Sequence, residues 1–262
     1  VKTMKRATRR AVVAGAAAAV FTGVAAVPAG AAEGGVAFSR VTFNGGKPIV
    51  IGVKKEVELY VTFRMTTKLK HKSSPTVFPY RGKLGSSETL WNSMLVNDCV
   101  VVDKAKGICD FEEWLTIDPR HYDFGNEDAG AWKTAAQLYL PKGAEDIDDV
   151  KLPLQVKRAT RVTVNASPEP VVKGKTLTVT GKVSRANWDT HTYQGYGGRS
   201  VSLQFKAAGS SSYKTVKKVT SSKTGSLKTT VKATGAGTWR WTYYGNTTSG
   251  PSSSSGDRVA LR

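Results

Sequence analysis

The 262-residue chain carries 39 Lys or Arg against 20 Asp or Glu, a formal net charge of +19, with two cysteines and three histidines. So few thiols and imidazoles, with no C-x-x-C or H-E-x-x-H spacing, exclude a zinc site and a thiol redox centre. After the first apolar run nothing is long enough to cross a bilayer as a helix, which excludes a chain of membrane-spanning helices.

Near the N-terminus, Lys5, Arg6, Arg9 and Arg10 precede the apolar stretch AVVAGAAAAVFTGVAAV and the small residues PAGAAEGG. That order predicts a secretory signal peptide over residues 1–31, ending at Ala29-Gly30-Ala31. A membrane anchor would need a longer, less Ala- and Gly-rich run with a stop-transfer flank. The expected product is secreted, extracellular or held at the cell surface, without a membrane span. Its roughly 230 residues suit one large domain or two ordinary ones.

In EVELYVTFRM, Val57, Leu59, Val61, Phe63 and Met65 alternate with Glu56, Glu58, Tyr60, Thr62 and Arg64, the period of a half-buried strand. RVTF, PIVIGV, PTVFPY, LWNSMLVNDCVVVD, ICDFEEWLTID, WKTAAQLYL and VKLPLQVK read as further strands, with a short helical turn expected only around PRHYDFG. Cys99 and Cys109 flank the turn-like DKAKG, so export predicts a disulfide across a hairpin, stabilising by about 2 to 3 kcal/mol. Two acidic runs follow, NEDAG (Asn126, Glu127, Asp128) and EDIDD (Glu145, Asp146, Asp148, Asp149). They hold the hard oxygens that calcium takes but lack EF-hand spacing, so solvated loops and a turn cap are the expected use.

From DVKLPLQVKR to TRVTVNASPEPVVKGKT a strand-like run ends and a Pro-punctuated one begins, which places a domain boundary near Val156 to Arg158. Charge divides there as well. Residues 32–156 hold 16 Lys or Arg against 17 Asp or Glu, whereas residues 157–262 hold 18 against 3. Nearly all the excess positive charge of the expected secreted product therefore lies in its second part, where it attracts polyanions through long-range, salt-sensitive forces.

That part reads as TRVTVNA, TLTVTGKVS, SVSLQFKA, YKTVKKVTS, SLKTTVKAT, TWRWTYYGN and RVALR. Alternation fails in YKTVKKVTS, the mark of an edge strand whose lysines discourage unwanted pairing. Residues 187–199, NWDTHTYQGYGGR, read as a long aromatic loop. Trp188, Tyr193, Tyr196 and Arg199 in it are candidate ligand contacts, because flat rings stack on sugars or bases; a loop folded back over the sandwich end is the equal alternative. In TWRWTYYGN, alternation turns Trp239, Trp241 and Tyr243 inward and leaves Arg240 and Tyr244 as further candidate contacts. About seven short strands per hundred-odd residues, separated by Gly, Pro, Asn, Asp and Ser, predict an all-β protein of two tandem antiparallel β-sandwiches, residues 32–156 and 157–262.

The order TVNASPEPVVKGKTLTVTGKV, GRSVSLQFKAAGSSSYKTVKKVTSSKTGSLKTTV and GTWRWTYYGNTTSGPSSSSGDRVAL resembles the bacterial immunoglobulin-like modules of secreted and cell-surface proteins. More loosely, EDAGAWKTAA (residues 127–136) resembles the D-x-G-x-Y-x-C corner of immunoglobulin domains, with Trp132 in place of the tyrosine and Thr134 in place of the cysteine. The whole arrangement resembles secreted actinobacterial proteins. The resemblance implies two immunoglobulin-like sandwiches outside the cell and implies no catalysis.

No G-x-S-x-G, Walker loop or dinucleotide fingerprint is present, and His71, His121 and His191 sit in separate loop-like settings. The expectation is a non-catalytic binding or structural protein, without cofactor or metal. Its basic C-terminal domain would associate with an anionic cell-wall or extracellular polymer, and nucleic acid would bind only unspecifically. The alternatives are a protein–protein interaction module, adhesin-like or an inhibitor of an exported enzyme, and less readily a small extracellular hydrolase.

Overall fold

The computed structural model describes residues 35–71, 73–85, 88–90, 93–121 and 124–262; the expected signal peptide falls outside them. The alternating segments of the first half become β1 (Val36–Phe43), β2 (Ile49–Ile51), β3 (Val57–Thr67), β4 (Thr76–Arg81), β5 (Glu88–Thr89), β6 (Ser93–Val96), β7 (Val100–Asp103), β8 (Ile108–Ile117), β9 (Gly130–Tyr139), β10 (Glu145–Asp149) and β11 (Leu154–Arg158). One sheet runs β1-β3-β8-β6 with β7 also on β8, and the other runs β2-β11-β9-β4-β5 with β10 on β9. Lettered in chain order, that is an A-B-E-D sheet facing a sheet built on G-F-C, the immunoglobulin arrangement.

Parity decides what is buried. Leu59, Val61, Phe63 and Met65 of β3 meet Phe111, Leu115 and Ile117 of β8 and Trp132, Ala136 and Leu138 of β9 in one core. The corner before β9 keeps its geometry with a different ring, since the Trp132 indole N–H donates to the Asp128 carbonyl at 2.8 Å. A tyrosine hydroxyl makes the equivalent backbone bond in other immunoglobulin domains. Cys99 and Cys109 are joined, S–S 2.02 Å, tying the start of β7 to β8. The two acidic runs are structured: EDIDD is β10, and Asn126–Asp128 is a 3-10 turn whose Asp128 carboxylate accepts the Gly125 amide at 2.8 Å. PRHYDFG lies partly outside the described residues.

The second half forms β12 (Thr160–Ser167), β13 (Thr176–Asn187), β14 (Thr192–Gly195), β15 (Ser200–Ala207), β16 (Lys214–Thr220), β17 (Ser226–Lys232), β18 (Gly237–Tyr243), β19 (Ser252–Ser253) and β20 (Asp257–Val259). β13 carries β12 on one edge and β17 and β14 in succession on the other, and the facing sheet runs β16-β15-β18 with β19 and β20 on β18. This is A-B-E against C′-C-F-G. Trp239, Trp241 and Tyr243 are buried between the sheets, and the Trp241 indole donates across to the Thr180 carbonyl at 3.0 Å. Among the described residues β16 pairs only with β15, as an edge strand does.

The passage between sandwiches is one residue, Ala159. Arg158 N donates to Thr248 O at 3.0 Å, Gly250 N to Arg158 O at 2.9 Å and Ala159 N to Ile51 O at 2.8 Å, so both sandwiches hold the crossing backbone.

Candidate functional site

Residues 187–199 do not form a long loop. β13 continues to Asn187, a turn spans Trp188 to His191, and β14 returns as a hairpin. The hairpin tip is pressed into the first sandwich. Trp188 is 0% exposed, its ring centroid 4.5 Å from that of Phe124, and its indole N–H donates to Gly52 O at 2.8 Å. This corrects the expectation that Trp188 offers a face to a ligand: both of its faces are spent on the junction. Asn126 of the first sandwich latches the tip, donating from its amide to Asn187 Oδ1 at 2.8 Å and to the Asp189 carboxylate, and accepting the Trp188 backbone N–H at 3.0 Å. Tyr193 lies nearby with the Arg161 guanidinium 3.7 Å above its ring.

Tyr196 and Arg199 sit in a polar cluster just behind that junction. The Tyr196 hydroxyl receives Arg185 Nη1 at 3.2 Å, Asn246 Nδ2 at 3.1 Å and Ser249 Oγ at 3.0 Å, with the Arg185 and Arg199 guanidinium groups 4.1 and 4.8 Å from its ring centroid. Burial raises the Tyr196 phenol, but the hydrogen bonds from Ser249 and Asn246 and the Arg185 charge outweigh it and hold the group below its ordinary value. Beside it, burial and then Tyr196 push the Tyr243 phenol up to about 12. Arg158 is pulled down to about 10, chiefly by burial and then by Arg185. Its Nε donates to Ala186 O at 2.6 Å. The cluster braces loops, and Tyr196 is itself almost wholly buried.

Arg240 and Tyr244 come together elsewhere, on the outer face of the β15-β16-β18 sheet. Gln204 of β15 organises them. Its Oε1 accepts Arg240 Nε at 2.7 Å and Thr242 Oγ1 at 3.0 Å, while its Nε2 donates to the Tyr244 hydroxyl at 3.2 Å. The Arg240 guanidinium lies 3.7 Å from the ring centroid of Tyr213, and Lys206 Nζ approaches the same ring at 5.2 Å. Tyr244 is 63% exposed. Among the described residues the Arg240 Nη groups have no hydrogen-bond acceptor, so a guanidinium held by its Nε and its face presents its outer edge to solvent. Such a surface suits an anionic group on the arginine beside an apolar ring face on the tyrosine.

Gln204 and Tyr213 were not among the sequence candidates. The signal for Gln204 was present: Ser202, Gln204 and Lys206 alternate with Val201, Leu203 and Phe205, so one polar row faces outward. Tyr213 carried none, because it precedes β16 at the irregular strand and meets Arg240 only through the β15-β16 bulge.

The acids of the second sandwich are committed inside it or at the junction. Asp257 accepts Ala166 N at 2.6 Å, Glu169 is raised by burial and by its neighbour Asp257, and Asp189 holds Asn126. Among the described residues, the ion pairs formed, such as bidentate Arg64–Asp110 and Arg120–Asp118, belong to the first sandwich. Among the described residues no ion pair joins a cation of the second sandwich to a carboxylate; Arg185 and Arg199 are taken up by the Tyr196 cluster, while Lys214, Lys217, Lys218, Lys228 and Lys232 are exposed. His71, His121 and His191 lie in three different connections of the fold.

Sheet order and core define an all-β protein of two immunoglobulin-like sandwiches. The chain is similar to the adhesin InvE of Yersinia pseudotuberculosis (10% identity, TM-score 0.29, covering 85% of this chain and 58% of that one). It is also similar to the D00-D0 domain of intimin (11%, 0.29, 84% and 98%) and to titin domains A168–A170 (11%, 0.26, 85% and 73%). The chain thus spans 58% of the InvE chain it matches. No protein-family model and no curated protein sequence matches it.

Proposed function

We propose that this is a non-catalytic extracellular binding protein whose second unit, residues 157–262, associates with an anionic envelope or matrix polymer through the outer face of β15-β16-β18. One observation carries the proposal: Arg240 is fixed by Gln204 and Tyr213 with its outer edge free, beside an exposed Tyr244, on a sandwich whose few acids are already engaged. The first sandwich would serve as spacer or partner-binding module.

Cosedimentation with a purified anionic cell-wall polymer across a salt series tests it. Counterion release predicts affinity that falls linearly on a log–log plot as salt rises. Arg240→Gln with Tyr244→Ala should weaken binding at least about tenfold, since a charge-assisted bond and a stacked ring each contribute on the order of 1 to 3 kcal/mol. Equal retention on a neutral polymer, or by the double variant, would sink the reading. Nucleic acid would bind such charge regardless, so a gel shift alone decides nothing.

A further inference from the structure

The first sandwich has an unusual edge. β6 and β7 lie end to end along β8 and, among the described residues, pair with nothing on their other side. Their side chains are apolar and exposed: Leu95 is 64% exposed, Val100 64% and Val101 62%, with Val102 also open. Next to this edge, Trp114 and Tyr60 pack at 5.3 Å between centroids, and Met94, Leu95, Asn97, Trp114, Thr116 and Glu58 line an open cleft of about 360 Å³. A free backbone edge beside an apolar cleft is the layout for strand addition, in which main-chain bonds supply affinity and the cleft selects side chains.

We propose that this edge takes the β16 edge of a second copy, so that molecules join head to tail. Charge selects the occupant. Glu58 lines the cleft, Asp98 lies in the connection between β6 and β7, and Glu112 lies on β8 beside that connection, bonded to Tyr60. Asp110 and Asp103 there are already matched by Arg64 and Lys106. Self-pairing of two β6–β7 edges would bring Glu58, Asp98 and Glu112, none of them ion-paired among the described residues, against their own copies, a like-charge juxtaposition that disfavours it. β16 offers the complement: Lys214, Lys217 and Lys218 are exposed around an open Val216, on a strand with one free edge. Lysines that deter β16 from pairing with a neutral or basic edge favour this acidic one. Two different edges meeting make a heterologous contact, which grows as a chain and does not close as a dimer.

Sedimentation equilibrium of the secreted protein tests this. The weight-average mass should rise with concentration past that of a dimer and return to monomer at high salt. Val101→Lys should lose self-association, and so should the double variant Lys217→Glu, Lys218→Glu. An equimolar mixture of the two should form a one-to-one dimer and stop there, since each supplies the edge the other lacks. Leu95→Thr serves as a second β6–β7 variant, and circular dichroism confirms that all remain folded. A wild-type protein that stays monomeric throughout would overturn the proposal. So would a dimer abolished by Val101→Lys yet untouched by the lysine variant.

Discussion

A carboxyl group placed between two sheets must find hydrogen-bond donors there or keep its proton, and Glu113 does some of each. It is fully buried, with Thr76 Oγ1 donating to Oε1 at 2.5 Å and Val77 N donating to Oε2 at 2.9 Å. Burial raises its pKa from 4.5 to about 7 against the opposing pull of those two donors. Between these values the folded protein holds a proton that the unfolded chain has released. The group's contribution to stability is therefore complete below pH 4.5 and lost as pH rises through about 7, amounting to about 3 kcal/mol. Denaturant unfolding at pH 5 and pH 7 samples most of it: Glu113→Gln should shrink the difference between the two conditions by about 2 kcal/mol. A difference left unchanged by the substitution would show that Glu113 does not titrate in this window. Its position was legible, because Glu113 has the parity of Phe111, Leu115 and Ile117 in ICDFEEWLTID. Its partners were not, since Thr76 lies 37 residues away on the opposite sheet.

Among the elements, the β13–β14 hairpin is where composition misled. Trp, His, Tyr and Gly in thirteen residues have the make-up of a ligand-binding loop, and nothing local in NWDTHTYQGYGGR says that its tip belongs to another sandwich. The decisive partner, Gly52 O, is 136 residues from Trp188. By contrast, alternation alone placed Trp239, Trp241 and Tyr243 in the core, because a strand's period of two needs no distant information. Removing a buried indole costs about 3 to 5 kcal/mol. Trp188→Ala should accordingly lower the thermal midpoint and separate the unfolding of the two sandwiches in a calorimetric scan, whereas Trp188→Phe, which keeps the contact with Phe124, should lose much less. A single unchanged transition for Trp188→Ala would mean the junction does not couple the two units.

Over the whole molecule, the division of charge was legible in the sequence, while the direction in which the sandwiches face each other came only from the structure. With one residue between β11 and β12 and the tip of β13–β14 latched by Asn126, the sandwiches are set as one body. Small-angle scattering should give a maximum dimension that does not change from low to high salt at dilutions where the protein is monomeric. Asn126→Ala combined with Trp188→Ala should lengthen and broaden that distribution; an identical profile would show that the latch does not set the geometry.

The single-residue crossing at Ala159 also bears on force. A chain fixed at one sandwich and pulled at the other has no slack to take up, so tension reaches the hydrogen bonds of Arg158 and Ala159 at once. The molecule behaves as a stiff strut that holds the far ends of its two sandwiches at a set separation.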